Sequence, residues 1–434
     1  MDSEIIGILF FILLFILLFA GMPIGFALLL TGFLGLVSCF GVDATLYQLG
    51  MVPYSSVASD ALCVVPLFML TGTLASRNGI IDGMYDAAYK WTGTLPGGLA
   101  ITSIGACAGF SACTGSSMAS AATMTQVAWP EMKRYHYKAS LGLGSIAAGG
   151  TLGILIPPSI PFIFYGILTE QSVGKLFLAG IIPGVLLSLF FMIYIIVKVK
   201  IDPSLAPAGP KTSWNERLIA LRNLIPGAIL IIIILGGIWS GIFSPTEAGG
   251  VSAFSVVILS LVTRGLTWKG FTESLKMTVK ITAMASQILI GSMLFNYFIT
   301  ASGLTELLVN FVQSLAFTPT GILVVILAIY VFLGCLMESL ALTLLTIPIV
   351  FPIITRLGID PILFGTLFVL TMEMSLVTPP IGMNIFVMGG MIPDVPMYAI
   401  FRGVLPFVFI IAFMVLLVMM FPQLALFLPN HVIN

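Results

Sequence analysis

Residues 153–159 read Gly153-Ile154-Leu155-Ile156-Pro157-Pro158-Ser159, and residues 375–380 read Ser375-Leu376-Val377-Thr378-Pro379-Pro380. Each Pro-Pro pair interrupts a long apolar run, 138–169 in one case and 360–391 in the other. Proline has no N–H and its ring obstructs the preceding turn, so a helix cannot continue through either pair. Carbonyls left without donors cost several kcal/mol each in hydrocarbon, so such a break persists in a membrane only where polar groups or an ion meet it. The two pairs lie 222 residues apart. Pro23 and Pro245, each after the first apolar segment of its half, share that offset, as do Ser117 and Ser339, each in a polar turn within another long apolar stretch.

Composition agrees with a membrane setting. The chain has 434 residues, 59% hydrophobic and 8% charged, with a mean hydropathy of +1.16. An average soluble domain is about 25% charged, and this chain lacks the polar residues to coat a soluble globule. Cytoplasmic enzymes, nucleic-acid binders and disordered scaffolds are excluded on that ground. At about 20 apolar residues per crossing, the content suffices for roughly ten helices. The segment Ile5–Phe19 follows Asp2 and Glu4, not a basic stretch, and reads as a retained first helix. Five cysteines without metal-ligand spacing read as packing residues, and His136 and His431 offer no metal or redox centre.

The offset divides the chain into two like halves. Residues 1–199 form the first repeat, with 1–95 as scaffold and 96–199 as half of a transport domain. Residues 200–216 form a polar linker, and 217–434 the second repeat, split again into 217–316 and 317–434. The stretches 96–130 and 319–356 are interrupted at Ser111–Ser117 and Gly334–Ser339, and read as re-entrant hairpins of two half-length helices. Five crossings plus one hairpin per half invert the second copy relative to the first. With the linker in the cytoplasm, fifteen of the seventeen Lys and Arg fall inside, and only Lys175 and Arg356 outside. Both termini are then external. The fold expected is an all-α polytopic membrane protein built as an inverted repeat, the plan of secondary transporters with midplane sites.

The chemistry follows from the breaks. Hydroxyls and carbonyls without thiolate or imidazole suit a hard cation, and a set without a carboxylate suits a monovalent one. A first sodium site is expected from Thr114, Ser116 and Ser117 with Gly153, Ile156 and Pro158. A second is expected from Glu338 and Ser339 with Ser375, Thr378 and Pro380. Intramembrane carboxylates are costly and usually functional. Glu338 and Glu373 therefore read either as ion or proton ligands or as groups locking a hairpin to its neighbour, whereas Glu247 reads as interfacial.

At these motifs the chain resembles the large membrane subunit of the tripartite ATP-independent periplasmic (TRAP) transporters. The stretches that carry the likeness are Thr114–Ala119, Gly153–Ser159 with Tyr165-Gly166, Thr378–Asn384, and the ending Pro422–Pro429. The resemblance implies sodium-driven uptake of an organic acid of C4-dicarboxylate or sialic-acid type, with two or more coupling sodium ions and no organic cofactor. It implies an elevator motion of the transport domain against the scaffold. It also implies a periplasmic substrate-binding protein and a small four-helix membrane subunit, expected as a separate chain, in the bilayer of the bacterial inner membrane. No arginine sits in either motif. The substrate carboxylate is then left to Ser117, Ser159, Ser339 and Asn384, helix N-termini and bound sodium. Three other readings remain: a self-sufficient sodium- or proton-coupled symporter of the same superfamily, an intramembrane enzyme using Glu338 and Glu373, and a passive channel.

Overall fold

The computed structural model describes residues 3–207, 212–263, 265–314 and 317–432. Two of the cations counted as internal, Lys211 and Arg264, lie outside the described residues. Among the described residues every regular element is helical. The first half runs α1 (Ser3–Phe19), α2 (Ile24–Phe40), α3 (Val42–Val57), α4 (Val64–Arg77), α5 (Ile80–Thr92), α6 (Gly98–Thr114), α7 (Ser117–Arg134), α8 (Ala139–Thr151), α9 (Ile160–Thr169) and α10 (Val173–Ile201). The second runs α11 (Trp214–Ile231), α12 (Gly237–Trp239), α13 (Pro245–Val262), α14 (Trp268–Ala301), α15 (Leu304–Ser314), α16 (Pro319–Gly334), α17 (Ser339–Arg356), α18 (Pro361–Ser375), α19 (Met383–Met391), α20 (Met397–Met420) and α21 (Gln423–Val432). A π turn at Ile232–Gly236 links α11 and α12 into one apolar span, Trp214–Trp239.

The chain is a multi-pass membrane protein. Among the described residues, six helices are long and apolar enough to cross a bilayer, or seven if Val64–Arg77 and Asp82–Thr92, bent 65° from each other, form one span. Seven further apolar helices of 10–17 residues lie among the described residues. Four details depart from the sequence reading. The segment between 40 and 61 forms α3. The third span of the second half extends over 34 residues as α14. The apolar run 400–428 divides into α20 and α21. The hairpin arms are not half-length: α6, α7, α16 and α17 have 17, 18, 16 and 18 residues, about 24–27 Å at 1.5 Å per residue.

Two groups of helices pack across the halves. In the first, α2 lies along α14, where Gly32 lets the backbones close: a Cβ there would meet Phe295 N at 2.8 Å. Small residues at a crossing are how helices approach closely in lipid. Helix α4 packs on α13 and is tied to it by Thr71–Ser252 at 3.1 Å and by Asn78 Nδ2 donating to Ser260 Oγ at 2.8 Å. In the second group, α8 crosses α20 so tightly that a Cβ on Gly403 would overlap Ser140 O. The buried Tyr165 of α9 donates to Pro361 O at 2.6 Å, at the start of α18.

Capping accounts for several polar residues near helix ends. Ser244 and Glu247 form a reciprocal capping box on α13, with the Glu247 carboxylate accepting from Ser244 N at 2.8 Å. Ser213 and Glu216 do the same for α11. After α10, the Asp202 carboxyl accepts from the Ser204 hydroxyl at 2.6 Å, which holds it below the usual carboxylate range, with Lys138 and Lys198 adding to the effect.

Candidate functional site

The first hairpin closes directly on the first break. Helix α6 ends at Gly115, whose φ is +62°, a conformation that costs an L side chain roughly 1–2 kcal/mol. A Cβ on Gly115 would also lie 2.5 Å from Pro158 O, and Ile160 N donates to Gly115 O at 3.3 Å. From the other side, a Cβ on Gly153 would lie 2.7 Å from Ser116 O and 2.9 Å from Ser120 Oγ. Two glycines thus let backbone touch backbone. Pro157 and Pro158 are buried beneath the tip.

Around this contact the hydroxyls crowd. Thr114 Oγ1 and Ser120 Oγ are 3.3 Å apart, and Ser116 Oγ caps α7 by accepting from Ala119 N. Ser117 Oγ accepts from Asn384 Nδ2 at 2.6 Å, which joins the first hairpin to α19 of the other half. Ser159 Oγ accepts from Phe162 N and donates to Ile154 O, so it braces the break it belongs to. Thr114, Ser117, Ser120 and Ser159 are all buried. Ile156 turns its side chain toward Gly184 of α10. The tip and the break thus bring Thr114, Ser116, Gly153 and Pro158 together around Gly115, with Ser117 beside them bonded to Asn384; Ser120, one turn after Ser117 on α7, joins them though its position in the sequence does not mark it.

The second pair is looser. The end of α16 reaches α18 and the break: a Cβ on Gly334 would overlap Ser375 Oγ, and Cys335 Sγ faces Pro379 O at 3.5 Å. Ser375 Oγ donates back to Met372 O at 2.7 Å and Thr378 Oγ1 to Met374 O at 2.5 Å. Glu338 is the N-cap residue of α17 but makes no side-chain cap bond. Glu338 and Ser339 are half-buried, and Pro379 and Pro380 are exposed. Gly382, at φ +58°, then turns the chain into α19, where Asn384 N donates to Leu376 O at 3.1 Å.

Two buried groups at this junction lack partners. Glu373, in the last turn of α18, is 0% exposed and neither carboxylate oxygen has a hydrogen-bond partner among the described residues; Asn384 Oδ1 is likewise buried and unpaired among them. An unsatisfied buried polar atom costs about 1–3 kcal/mol, and more when charged. Each is an oxygen of the kind a hard cation takes. Glu373 belongs to neither ion set expected from the sequence, because its burial depends on helices distant in the chain.

The family model described as "Tripartite ATP-independent periplasmic transporter, DctM component" matches residues 11–424. The C4-dicarboxylate TRAP transporter large permease protein DctM of Pseudomonas aeruginosa is 38% identical over 372 residues, covering 85% of this chain and 86% of that protein. The sialic acid TRAP transporter large permease protein SiaM of Vibrio cholerae is 35% identical over 419 residues, covering 95% and 96%. Among solved structures, the YdaH transporter of Alcanivorax borkumensis superposes with a TM-score of 0.62 over 89% of each chain, at 14% identity, a likeness of fold.

Proposed function

Because the chain belongs to the DctM component family of tripartite ATP-independent periplasmic transporters, we propose that it carries a small organic acid across the bacterial inner membrane on a sodium gradient. Its relatives are permease subunits and not enzymes, which removes the intramembrane hydrolase reading of Glu338 and Glu373. C4-dicarboxylates and sialic acid, named for two relatives, both carry carboxylates, and a carboxylate is the group this site would recognise. A small membrane subunit and a periplasmic binding protein complete the assembly.

The observation that carries the sodium reading is the Glu373 carboxylate, buried in the last turn before the second break with no hydrogen-bond partner among the described residues. Sodium enters here as a co-transported substrate. Thr114, Ser116, Ser117 and Ser120, with carbonyls of Gly153–Pro158, would hold one ion. Glu338, Ser339, Ser375, Thr378 and the Pro380 region would hold another, with Glu373 added. The Ser117–Asn384 pair, with the hydroxyls of Ser159 at the first break and Ser339 at the second hairpin, would position the substrate carboxylate.

An inverted repeat is supported by the element boundaries: α7 and α17 both have 18 residues and begin 222 positions apart, at Ser117 and Ser339. The packing of α2 and α4 with α13 and α14, and of α7, α8 and α9 with α19, α20 and α17, supports a scaffold and a transport body moving as an elevator. Uptake into proteoliposomes, with the small subunit and binding protein present, should require a sodium gradient. Full-rate uptake on a proton gradient alone would overturn sodium coupling. A cysteine at Ser213 should label only from the cytoplasmic face and one at Thr318 only from the periplasmic face. Labelling of both from one side would refute the inverted topology and the external termini.

A further inference from the structure

Between α1, α15, α16 and α17 lies a crevice of about 460 Å³, within the size range of small-ligand sites. Its walls include Phe11, Phe15, Phe311, Ile326, Leu345 and Ile349. Thr346 supplies the one hydroxyl of the lining, and that hydroxyl donates back to Leu342 O at 2.7 Å. The interior is therefore without a free polar group. Phe311, Phe317, Val325 and Ile329 at its edge are at least half exposed, so the crevice opens on the apolar outer surface of the bundle.

Several of the same positions in the other half carry polar groups or smaller side chains. Counting back 222 residues, Leu308 becomes Asp86, Phe311 becomes Tyr89, Val325 becomes Ser103, Leu345 becomes Thr123 and Ile353 becomes Glu131. There α5 packs closely along α6 and α11, with Met84 filling the space over Gly227. The fold thus does not require a crevice at this place. The second half keeps it open and lines it with large hydrocarbon side chains.

We infer that this crevice binds one acyl chain of a membrane lipid. A protein helix is a poor fit for two reasons. Helices meet in membranes through small residues, and the lining has no Gly, Ala or Ser. A helix about 10 Å across also fills roughly 120 Å³ per residue, so the space holds only a few residues of one. Water is excluded by the absence of polar partners, since a buried water needs two to four. A lipid tail needs neither small residues nor donors.

The test uses the chain reconstituted with its small subunit in phosphatidylethanolamine–phosphatidylglycerol vesicles. These contain phosphatidylethanolamine with a diazirine at the end of one acyl chain, photolysed and mapped by peptide mass spectrometry. Adducts should appear on Ile322 and Leu345, which are 6% and 3% exposed and reachable through the crevice, as well as on the outward Val185 and Ile193 of α10. Val325→Trp at the mouth and, separately, Ile349→Trp inside should lower the Ile322 and Leu345 adducts at least fivefold and leave Val185 unchanged. Adducts at Ile322 and Leu345 no higher than at the fully buried Leu28 and Phe191 would overturn the proposal. So would cross-links from these positions to the small subunit, or labelling that neither substitution reduces.

Discussion

At the first break a glycine tip lies against Pro158, hydroxyls surround it and both prolines are buried. At the second, 222 residues on, the same backbone plan carries different groups. Ser116 is replaced by Glu338, Thr151 by Glu373, Phe162 by Asn384 and Gly115 by Met337. The second pair of prolines is exposed and the hairpin touches its break mainly through Gly334 and Cys335. One plan is thus used once as a closed, neutral seat and once as an open, acidic one. A symmetric backbone sets where two ions would sit. On the proposed reading, side chains would decide how firmly each is held.

The sharpest way to break that contrast is Glu373→Gln. Loss of a charged ligand worth up to about 3 kcal/mol corresponds to roughly a hundredfold, and sodium-dependent uptake should fall by that order. In sodium-free buffer the variant should melt at or above the wild-type temperature, since a buried carboxyl without partners has been removed. Wild-type uptake by Glu373→Gln would mean the second break does without its acid.

Next in size is the turn itself. Gly115→Ala places a Cβ in the left-handed region and against Pro158 O, and should cost about 2–4 kcal/mol from strain and overpacking together. Uptake should drop at least tenfold in proportion to the lost seat. Met337→Ala, at the matching position, should keep most of its activity and melting temperature. Equal losses at the two positions would show that the turns are built alike.

A smaller split is expected between Ser117→Ala and Ser339→Ala. The first strands the buried Asn384 amide, at about 1–3 kcal/mol of stability, read by thermal unfolding. The second should leave stability within about 0.5 kcal/mol. Both should raise the sodium concentration for half-maximal uptake roughly tenfold, or ~1.4 kcal/mol. Unchanged sodium dependence in both would reduce the serines to packing. The smallest effect belongs to Lys133→Ala. Its 3.6 Å contact with Asp394 links α7 to the loop before α20, but both side chains are over 60% exposed. Such pairs contribute about 0–1 kcal/mol, so unfolding and uptake should match the wild type; a larger loss would identify a clamp between the halves.

Much of this site was legible beforehand. Pro157-Pro158 and Pro379-Pro380 announced the breaks, and Ser117 and Ser339 the turns, because proline and short polar runs act on their own neighbourhood. Ser120 was hidden among ordinary helix serines. Glu373 stood out as an acid in an apolar run, yet its burial without partners depends on every helix packed around α18. Helix α3 escaped notice because Pro53 and several polar residues dilute its apolar pattern.

Membrane class, the offset between the halves, the two breaks and the family can all be read from the amino-acid order alone. The membrane class and the breaks follow from rules that operate within a few residues: transfer of apolar side chains out of water and the missing N–H of proline. Only the tertiary structure decided which groups meet. Ser117 and Asn384 are 267 positions apart in sequence and 2.6 Å apart in space. The crevice exists because α15 stands off where α5 packs close, and one break is covered where its counterpart is open. Such outcomes depend on side-chain volumes meeting across distant helices in a close-packed interior, where one glycine or one phenylalanine sets the distance between backbones.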